Sequence, residues 1–575
     1  MTEGNVAVVE HRGRFRVAEP LFEPGPQRPL ARGSIDVDPG EMVLVEPRGG
    51  NARAVARLGR PDRARDVVAA LIAERDLRRG FGRELEDDAR DAAAVARESG
   101  DARHDHTDLA TFTVDPATAR DFDDAVSAAP EGDGVRLWIH IADVAAHVRP
   151  GSRLDAEALG RGTSTYVPGA VEPMLPPALS DEACSLGPGV ERLAVTAEVV
   201  VDAGGEPRSA SFHRSRIRSD ARLSYEQLDE LFAGRGSPSA AISEPLALAR
   251  RAAAALAGRR PVAALEIESF EPEFEFDPEG RVIAAHSVAQ TEAHRLIEHL
   301  MILANERVAE LCERRGVPTL YRVHEQPDPE RVGVLIEQLT SLGIPTPPLP
   351  DRLAPGEAAE LVGEASRRVA AEARRRGHGR AAYTSLVLRS LKQAYYTHTN
   401  VGHAGLGSPA YCHFTSPIRR YPDLVAHRAL LSLLGAGEDE PGRSDVREAG
   451  WWCSERERES MSVERQADKV CAAFLLEREL FESGWSRMFE GEVSGVVGAG
   501  AFVRFGGDLA DVYEGFLPAR RLRGEYFALN ETETALVGRR SGRTVRLGDP
   551  VRVAVDDVQA ARGRVDLLPE GGGGS

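Results

Sequence analysis

The sequence predicts a multidomain protein in which a large α+β block lies between two small all-β barrels of the OB type. The chain has 575 residues, whereas a single hydrophobic core stops growing at about 250 to 300 residues. Short runs that alternate apolar and polar residues, separated by Gly and Pro, occupy both ends of the chain and are typical of small antiparallel barrels. Between them, strand patterns come first and helical patterns follow, which indicates an α+β block.

The first barrel is predicted over residues 1–60, from runs such as "VAVVEH", "RFRVAEP" and "MVLVEPR". Residues 61–107 are predicted to be a helical connection. Apolar residues in "RARDVVAALIAERDLRRGF" have helical spacing, and a highly charged segment follows them. These two segments would place a small barrel and a linker ahead of the main block.

The main block is predicted over residues 108–485. Its strand patterns are "LATFTVD", "VRLWIHIADV" and "LAVTAEVVVD", and its helical patterns are "AHRLIEHLMILANERVAELCERR", "AAYTSLVLRSLKQAYYTH" and "DLVAHRALLSLL". A long helix from about Asp445 to Glu482 follows the turn-forming "GAGEDEPGRS" and is expected to pack on the block.

The second barrel, of five strands, is predicted over residues 486–569. Residues 570–575 form a flexible tail, because "GGGGS" has the composition of a linker.

The composition, with 42% hydrophobic and 28% charged residues, is that of a soluble globular protein. Five scattered cysteines without a CxxC pair are expected to be reduced thiols, and their spacing gives no zinc site. We find no signal-peptide pattern and no run of about 18 apolar residues, so we expect a cytoplasmic protein without a membrane span. The net charge of −18 argues against coating nucleic acid with the whole surface, although a local basic channel is compatible with it.

A cluster of four aspartates within ten residues is the main chemical signal in the sequence. The stretch "VDPATARDFDDAVS" contains Asp115, Asp121, Asp123 and Asp124. It lies between the strand "DLATFTVD" and a predicted hairpin with the turn "PEGDG", and Pro116 prevents a helix from starting before the cluster. Carboxylates held this close require protonation or a cation, and an all-oxygen ligand set suits Mg²⁺ or Mn²⁺ rather than zinc.

Three alternatives compete with a Mg²⁺ or Mn²⁺ site. An EF-hand loop would need Gly and Glu at set positions that "DFDDAVSAAPEG" lacks, and a phosphatase-like DxD nucleophile normally ends a buried strand directly. An acidic solvated turn stays open on this segment alone. If a metal binds, the implied chemistry is attack on a phosphodiester, with Arg419 and Arg420 of "HFTSPIRRYPDLVAHR" supplying positive charge where a helix begins. For one "RR" pair alone, surface salt bridges are the default interpretation.

Six segments in order resemble the RNB domain of the ribonuclease II and ribonuclease R family. They are "TVDPATARDFDDAVS", "WIHIADVAAHVRPGS", "RGTSTYVPGAVEPMLPPALSDEACSL", "LIEHLMILANERVA", "YRVHEQP" and "HFTSPIRRYPDLVAHR". The flanking barrels look like the family's cold-shock domain and its RNA-binding domain of the ribosomal S-one type. The resemblance implies a processive hydrolytic 3′-to-5′ exoribonuclease that releases nucleoside 5′-monophosphates from single-stranded RNA. The expected cofactor is Mg²⁺, with Mn²⁺ as a substitute. The expected partner is single-stranded RNA bound by its 3′ end. We expect no membrane partner and a monomer.

The resemblance also assigns roles to matching positions. Asp115, Asp121, Asp123 and Asp124 would bind metal, with Asp123 and Asp124 catalytic and Asp123 indispensable. Arg419 would contact the scissile phosphate as a catalytic residue. Residues expected to contact RNA are Tyr166, which would stack on the terminal nucleotide, Arg420 and Glu464. From the residues alone, a Tyr before "VPG" is more often packed and a Glu on a charged helix is usually solvated.

The chain departs from the family pattern outside the aspartates. It has one convincing N-terminal barrel where members commonly have two, it lacks a Lys-rich C-terminal tail, and His299 and Asp181 replace residues that are common in the family. These differences concern substrate range, especially duplex RNA. Two other functions compete with the exonuclease: a catalytically weak RNA-binding regulator built on the same fold, and a phosphodiesterase acting on DNA or cyclic nucleotides.

Overall fold

The N-terminal module is a five-stranded sheet followed by two helices. The computed structural model describes residues 4–13, 15–75, 77–98, 102–261, 263–265, 270–350, 352–507, 512–522 and 525–570. The elements of this module are β1 (Asn5–Arg12), β2 (Phe15–Pro20), β3 (Arg28–Pro29), β4 (Met42–Arg48), β5 (Asn51–Gly59), α1 (Ala64–Glu74) and α2 (Arg83–Glu98). The strand order is β3-β2-β1-β4-β5, and a bridge between Leu30 and Ala52 joins the two edges of the sheet. The predicted first barrel therefore has its strands where the alternating pattern places them.

The central module begins with strands and small helices. Its first elements are β6 (His104–His106), β7 (Thr111–Asp115), β8 (Asp124–Glu131), β9 (Gly134–Ala142), α3 (Arg153–Arg161), β10 (Thr165–Val167), β11 (Ala170–Glu172), β12 (Glu191–Val201), β13 (Pro207–Arg218), β14 (Ala221–Ser224), α4 (Tyr225–Phe232) and α5 (Ser243–Gly258). Seven of these strands form one sheet in the order β14-β7-β8-β9-β12-β13-β6. The β8–β9 hairpin turns at Gly132 and Asp133 as "PEGDG" predicts, and Gly132 adopts a φ of 57° that suits glycine.

The second half of the central module is mainly helical. Its elements are β15 (Phe270–Phe276), β16 (Val282–Ala289), α6 (Glu292–Arg315), β17 (Tyr321–Val323), α7 (Pro329–Ser341), α8 (Pro355–Arg376), α9 (Arg380–Ser390), β18 (Tyr395–Thr397), α10 (Tyr421–Leu433) and α11 (Arg443–Ser483). The long helix α11 confirms the prediction of about Asp445 to Glu482 to within two residues. Helices α5, α6 and α10 share one apolar core with the seven-stranded sheet, through residues such as Leu137, Ile139, Leu300 and Leu430.

One predicted helix is wrong in its second half. The pattern "AAYTSLVLRSLKQAYYTH" predicts a single helix, but α9 ends at Ser390 and Tyr395–Thr397 pairs with β17 instead. Tyr396 explains the difference, because its backbone N–H donates to Ser454 Oγ at 2.9 Å and its buried hydroxyl contacts His413 Nδ1 at 2.8 Å. These contacts come from residues distant in sequence, so tertiary structure overrides the local helical pattern.

The C-terminal module is a closed five-stranded barrel, as the sequence predicts. Its elements are β19 (Met488–Val497), β20 (Gly500–Phe505), β21 (Tyr513–Pro518), β22 (Phe527–Leu529), β23 (Ala535–Gly538), β24 (Thr544–Arg546), β25 (Pro550–Gln559) and β26 (Arg564–Pro569). The barrel order is β19-β20-β21-β26-β25, and β22, β23 and β24 form a separate small sheet. An apolar cluster that includes Leu476 of α11 and Phe505 of the barrel ties this module to the rest of the protein.

Among the described residues, no helix combines the length and apolar character needed to span a bilayer. The predicted tail at 570–575 lies outside the described residues except for Glu570.

Candidate active site

The four aspartates lie on one loop between the paired strands β7 and β8. Asp115 ends β7 and Asp124 begins β8, while Asp121 and Asp123 lie in the loop between them. The two strands are paired only at Thr111 with Ser127 and at Phe112 with Val126. They therefore separate before they reach the carboxylates, and the loop brings all four to one end of the strands.

Two side chains from other elements hold the aspartate loop. Arg222 of β14 donates from Nη2 to the carbonyl oxygens of Pro116 at 3.0 Å and Ala117 at 2.7 Å. Ser185 donates from Oγ to the carbonyl of Arg120 at 2.6 Å and accepts from the N–H of Phe122 at 3.1 Å. Because both halves of the loop are fixed through their backbone, the carboxylates stay available for a ligand.

Burial raises the pKa of these carboxyl groups. The pKa of Asp115 is raised to about 8 by burial and by the charges of Asp124 and Asp121. Burial raises the pKa of Asp124 to about 6, against the opposing charges of Arg419 and Arg420. Burial also raises the pKa of Asp123 well above its usual range, although Arg419 opposes the shift. The ionised aspartates would thus carry more negative charge than the neighbouring arginines can neutralise.

The buried carboxylate oxygens have the properties of a cation site. Within the described part of the chain, Asp115 Oδ2 and Asp123 Oδ2 are buried without a hydrogen-bond partner. Leaving a buried acceptor unpaired costs about 1 to 3 kcal/mol, and more for a charged group. A hard divalent cation would satisfy both oxygens and remove the repulsion, and an all-carboxylate set suits Mg²⁺ or Mn²⁺. The residues present therefore fit such an ion.

The loop before α10 supplies the positive charge. The Ile418 N–H donates to Asp123 Oδ1 at 2.8 Å, and Arg419 Nε lies 3.5 Å from Asp123 Oδ2. The Arg419 side chain is 44% exposed, whereas that of Asp123 is 4% exposed. Arg419 therefore faces both the carboxylate cluster and solvent, which is the position that a phosphate-binding group requires.

Arg420 has a different environment from its neighbour. Its guanidinium donates twice to the buried Asp423, from Nε to Oδ2 at 2.8 Å and from Nη2 to Oδ1 at 2.7 Å. Asp423 Oδ1 also accepts from the Ser416 N–H at 2.8 Å. In this structure Arg420 thus fixes the loop that presents Arg419, and its predicted contact with RNA stays a prediction.

Tyr166 and Glu464 meet beside the cluster. The Tyr166 hydroxyl donates to Asp121 Oδ2 at 2.8 Å, and the ring is partly exposed on β10. Its backbone N–H donates to Glu464 Oε1 at 2.9 Å, which also accepts from Ser460 Oγ at 3.1 Å. Burial and the charge of Asp121 raise the pKa of the Tyr166 hydroxyl, which stays a donor at neutral pH. Glu464 of α11 therefore positions the strand that carries Tyr166.

The chain reverses at Gly162 to bring β10 beside the arginine loop. Gly162 follows α3 with a φ of 70°, and its carbonyl accepts from the Tyr421 N–H at 3.0 Å. The Ser164 N–H then donates to the Arg419 carbonyl at 2.9 Å. These backbone bonds join the segments that carry Tyr166 and Arg419, although more than 250 residues of sequence separate them.

Several supporting residues are not evident from the sequence. Arg222, Ser185 and Asp423 act through the backbone or through a neighbour, and no spacing links them to the aspartates. The Tyr225 hydroxyl lies near Asp124 and Asp115, and their charges, added to burial, raise its pKa. Its ring stacks on His294 at 3.9 Å between centroids. The capping box that starts α4 at Ser224 could have predicted a helix there, but not the position of Tyr225.

Comparison with known proteins agrees with this architecture. The RNB domain family matches residues 103–436, and the S1 RNA binding domain family matches residues 487–568. The chain is 35% identical to ribonuclease R of Escherichia coli over 491 aligned residues. The aligned region covers 82% of this chain and 58% of that protein. It is 32% identical to ribonuclease R of Thermotoga maritima, with 98% of the chain and 80% of the relative covered. The chain thus spans less than two thirds of the first relative but most of the second.

A solved structure shows the same fold. Mycoplasma genitalium RNase R in complex with ribose methylated single-stranded RNA superimposes with a TM-score of 0.85, at 24% identity, covering 98% of this chain and 89% of the other. At this identity the likeness concerns the arrangement of the modules. Their order along the chain is the one that the sequence predicts.

Proposed function

The chain belongs to the ribonuclease II and ribonuclease R family of RNB-domain proteins, and from this premise we propose that it is a processive hydrolytic 3′-to-5′ exoribonuclease. In this proposal it binds single-stranded RNA by the 3′ end and releases nucleoside 5′-monophosphates. One observation carries the proposal: the bond from the Ile418 N–H to Asp123 and the approach of Arg419 bring the arginine loop onto the aspartate cluster across 295 residues of sequence. A surface turn of solvated aspartates would not need this arrangement.

Each residue of the cluster has a role in the proposed reaction. Mg²⁺, with Mn²⁺ as a substitute, would be held by Asp115, Asp121, Asp123 and Asp124 and would supply activation of water and neutralisation of the leaving oxygen. The fixed Asp123 carboxylate orients that site, because its Oδ1 is held by the Ile418 N–H. Arg419 stabilises the charge that develops on the scissile phosphate, as a guanidinium suits phosphate oxygens.

The test compares RNA with DNA of the same sequence, each labelled at either end, in the presence of Mg²⁺. We expect 3′-labelled RNA to release labelled mononucleotide from the first turnover. With RNA in excess, 5′-labelled RNA should pass from full length to a short end product with few intermediates, as processive degradation requires. DNA should stay intact, and a chelator should stop the reaction. Intact RNA that is nevertheless bound would support the RNA-binding regulator, and cleavage of DNA at the same rate would support the broader phosphodiesterase.

Tyr166→Ala should lengthen the final product without eliminating cleavage. Stacking of a base on an aromatic ring contributes roughly 1 to 3 kcal/mol, which matters most when few nucleotides remain to hold the substrate. The product ladder on a denaturing gel measures the effect. Tyr166→Phe is the matched control, since it keeps the ring but removes the hydroxyl that donates to Asp121. If both variants stop at the wild-type length, Tyr166 is only packed against the loop.

The C-terminal barrel offers a second binding surface. Phe502 of β20 and Tyr526, which directly precedes β22, are exposed, whereas Phe505 is buried. Phe502 and Phe516 have ring centroids 5.2 Å apart and line a cavity of about 470 Å³ together with Lys469 and Arg564. Aromatic rings beside basic groups are typical of single-strand binding. Arg523, which follows the basic Arg520 and Arg521 in the sequence, lies outside the described residues.

Phe502→Ala should weaken the binding of long RNA by about 1 to 3 kcal/mol while leaving the cleavage of very short RNA unchanged. A point substitution is preferable to deletion, because the barrel shares an apolar core with α11. Fluorescence anisotropy with a long and a short oligomer measures the difference. Phe481→Ala, which removes an exposed phenylalanine from α11, is the control. Equal affinity of wild type and Phe502→Ala for long RNA would contradict the proposal that the barrel is a second binding surface for RNA.

A further inference from the structure

Three histidines form a cluster at the far edge of the seven-stranded sheet. His104 and His106 lie on the edge strand β6, and His213 lies on the neighbouring β13. The two strands are parallel, with His104 opposite Ser215 and His106 opposite Ile217. One nitrogen from each imidazole lies within 4.8 Å of the others, and the Nε2 atoms of His106 and His213 are 2.8 Å apart. The pairing of two separate strands therefore brings three metal-binding groups together.

The chemistry of the cluster favours a transition metal. Burial and the charge of His104 lower the pKa of His106, and burial together with the other two histidines lowers the pKa of His213 to about 4. Burial thus favours the neutral form of both rings, which is the form of an imidazole that binds metal. The Glu198 carboxylate lies close enough to oppose both shifts, and it would compensate part of a cation's charge. Glu198 also pairs with Arg136.

A fourth histidine nearby is excluded from the site by its hydrogen bonds. Thr111 Oγ1 donates to the Leu109 carbonyl at 2.9 Å, so it accepts from Ser127 Oγ at 2.7 Å. Because the Ser127 hydroxyl hydrogen points to Thr111, it cannot also be donated to His140. His140 Nε2 must therefore carry the hydrogen and donate to Ser127 Oγ at 3.1 Å. Its Nδ1 then accepts from Thr196 Oγ1 at 2.8 Å. Both nitrogens of this buried ring are bonded to hydroxyl groups outside the cluster. The bond between His106 and His213, in contrast, joins two members of the cluster, and a shared ion would replace it, so three imidazoles remain for a ligand.

We propose that His104, His106 and His213 bind a divalent first-row transition ion, with Zn²⁺ as the representative, at a site separate from the aspartate cluster. Three imidazoles with a remaining position for water are an established ligand set for this ion. Nitrogen atoms that share one tetrahedral Zn²⁺ lie about 2.0 to 2.1 Å from it and hence roughly 3.3 Å from one another. The His106 and His213 nitrogens must therefore separate slightly from their 2.8 Å contact, and the exposed ring of His104 on the edge strand can adjust to complete the site. The ion would fasten β6 to β13.

The two candidate metal sites differ in ligand type, so metal binding at one can be measured apart from metal binding at the other. Carboxylate oxygens select Mg²⁺ and Mn²⁺, whereas imidazoles select Zn²⁺, Co²⁺ and related ions. An excess of Mg²⁺ would therefore occupy the aspartates and leave the histidines open to Zn²⁺. Since the readout is metal binding and not hydrolysis, the result does not depend on the proposed function.

The experiment is calorimetric titration of the chelator-treated full chain with Zn²⁺ in excess Mg²⁺. We expect one Zn²⁺ to bind the wild type, and His213→Gln and His104→Ala each to weaken that binding at least ~10-fold, since loss of a group that merely orients a ligand already costs this much. His11→Ala, which removes an exposed histidine of β1, should bind Zn²⁺ with the affinity of the wild type. His104 is itself exposed, so its substitution leaves the fold intact even if His213→Gln does not.

Zn²⁺ should also raise the Tm of the wild type but not that of His104→Ala, because the ion binds the folded state. Wild type that binds no Zn²⁺, or that binds it as tightly as His104→Ala does, would overturn the proposal. The cluster would then be three packed neutral rings, with His104 stacked on His213 at 4.1 Å between centroids.

Discussion

Asp123→Asn should reduce hydrolysis by orders of magnitude while leaving RNA binding nearly unchanged. The substitution keeps the side-chain volume and an oxygen that can accept from the Ile418 N–H, but it removes the charge that faces Arg419 and the proposed ion. Metal activation of water and charge stabilisation contribute several kcal/mol each, and each 1.36 kcal/mol corresponds to about tenfold in rate. Binding should persist, because most of the affinity for a single strand comes from contacts along its backbone.

Single-turnover cleavage and anisotropy on the same oligomer measure rate and affinity separately. Asp133→Asn is the matched control, since it makes the same chemical change in the exposed turn of the β8–β9 hairpin. A turnover rate for Asp123→Asn close to that of the wild type would refute the catalytic assignment. Loss of binding and cleavage together would instead indicate that the carboxylate mainly holds the arginine loop in place.

Asp143→Asn should destabilise the central module by about 3 to 5 kcal/mol, the usual cost of breaking a buried ion pair. The buried Asp143 carboxylate lies 2.8 Å from Arg103 Nη1 and 3.0 Å from Arg214 Nε. Both guanidinium groups are themselves buried, and Arg214 Nη2 also lies 3.1 Å from Glu438. Without the charge of Asp143, both buried guanidinium groups would lose the carboxylate that they share.

The effect of Asp143 should depend on pH. Burial acts to raise the pKa of Asp143, but Arg214 and Arg103 outweigh it and hold that pKa below its usual range. A carboxyl with a lowered folded-state pKa stabilises the protein above its unfolded-state pKa, which is about 3.9. The difference between wild type and Asp143→Asn should therefore be constant near neutrality. It should shrink as the pH falls through the folded-state pKa.

Hydrogen exchange of the β9 and β13 amides is the suitable measurement, because a chain of several modules need not unfold in one step. Asp62→Asn is the control: it breaks an exposed pair with Arg60 and should cost no more than about 1 kcal/mol. Equal protection of β9 and β13 in wild type and Asp143→Asn would show that the buried arginines find other partners.

The order of the modules and the candidates for the reactive groups could be predicted from residues close together in the sequence. Alternating runs predicted both barrels, helical spacing predicted α6, α10 and α11, and the crowded carboxylates with the "RR" pair indicated a metal-assisted site. These features are local: each depends on residues close in sequence, or on a motif whose residue types are fixed by the chemistry. The family resemblance then connected Tyr166 and Glu464 to the same site.

The contacts of each group could not be predicted in this way, because they form only in the folded protein. The tertiary structure separated Arg419, which faces Asp123, from Arg420, which is paired with Asp423. It ended α9 early so that Tyr396 could pair in β18, and it placed His213 beside the two histidines of β6. In each case the deciding contact joins residues that are distant in sequence. The local pattern carries no information on such a contact, because its energy arises only when the strands and helices have packed.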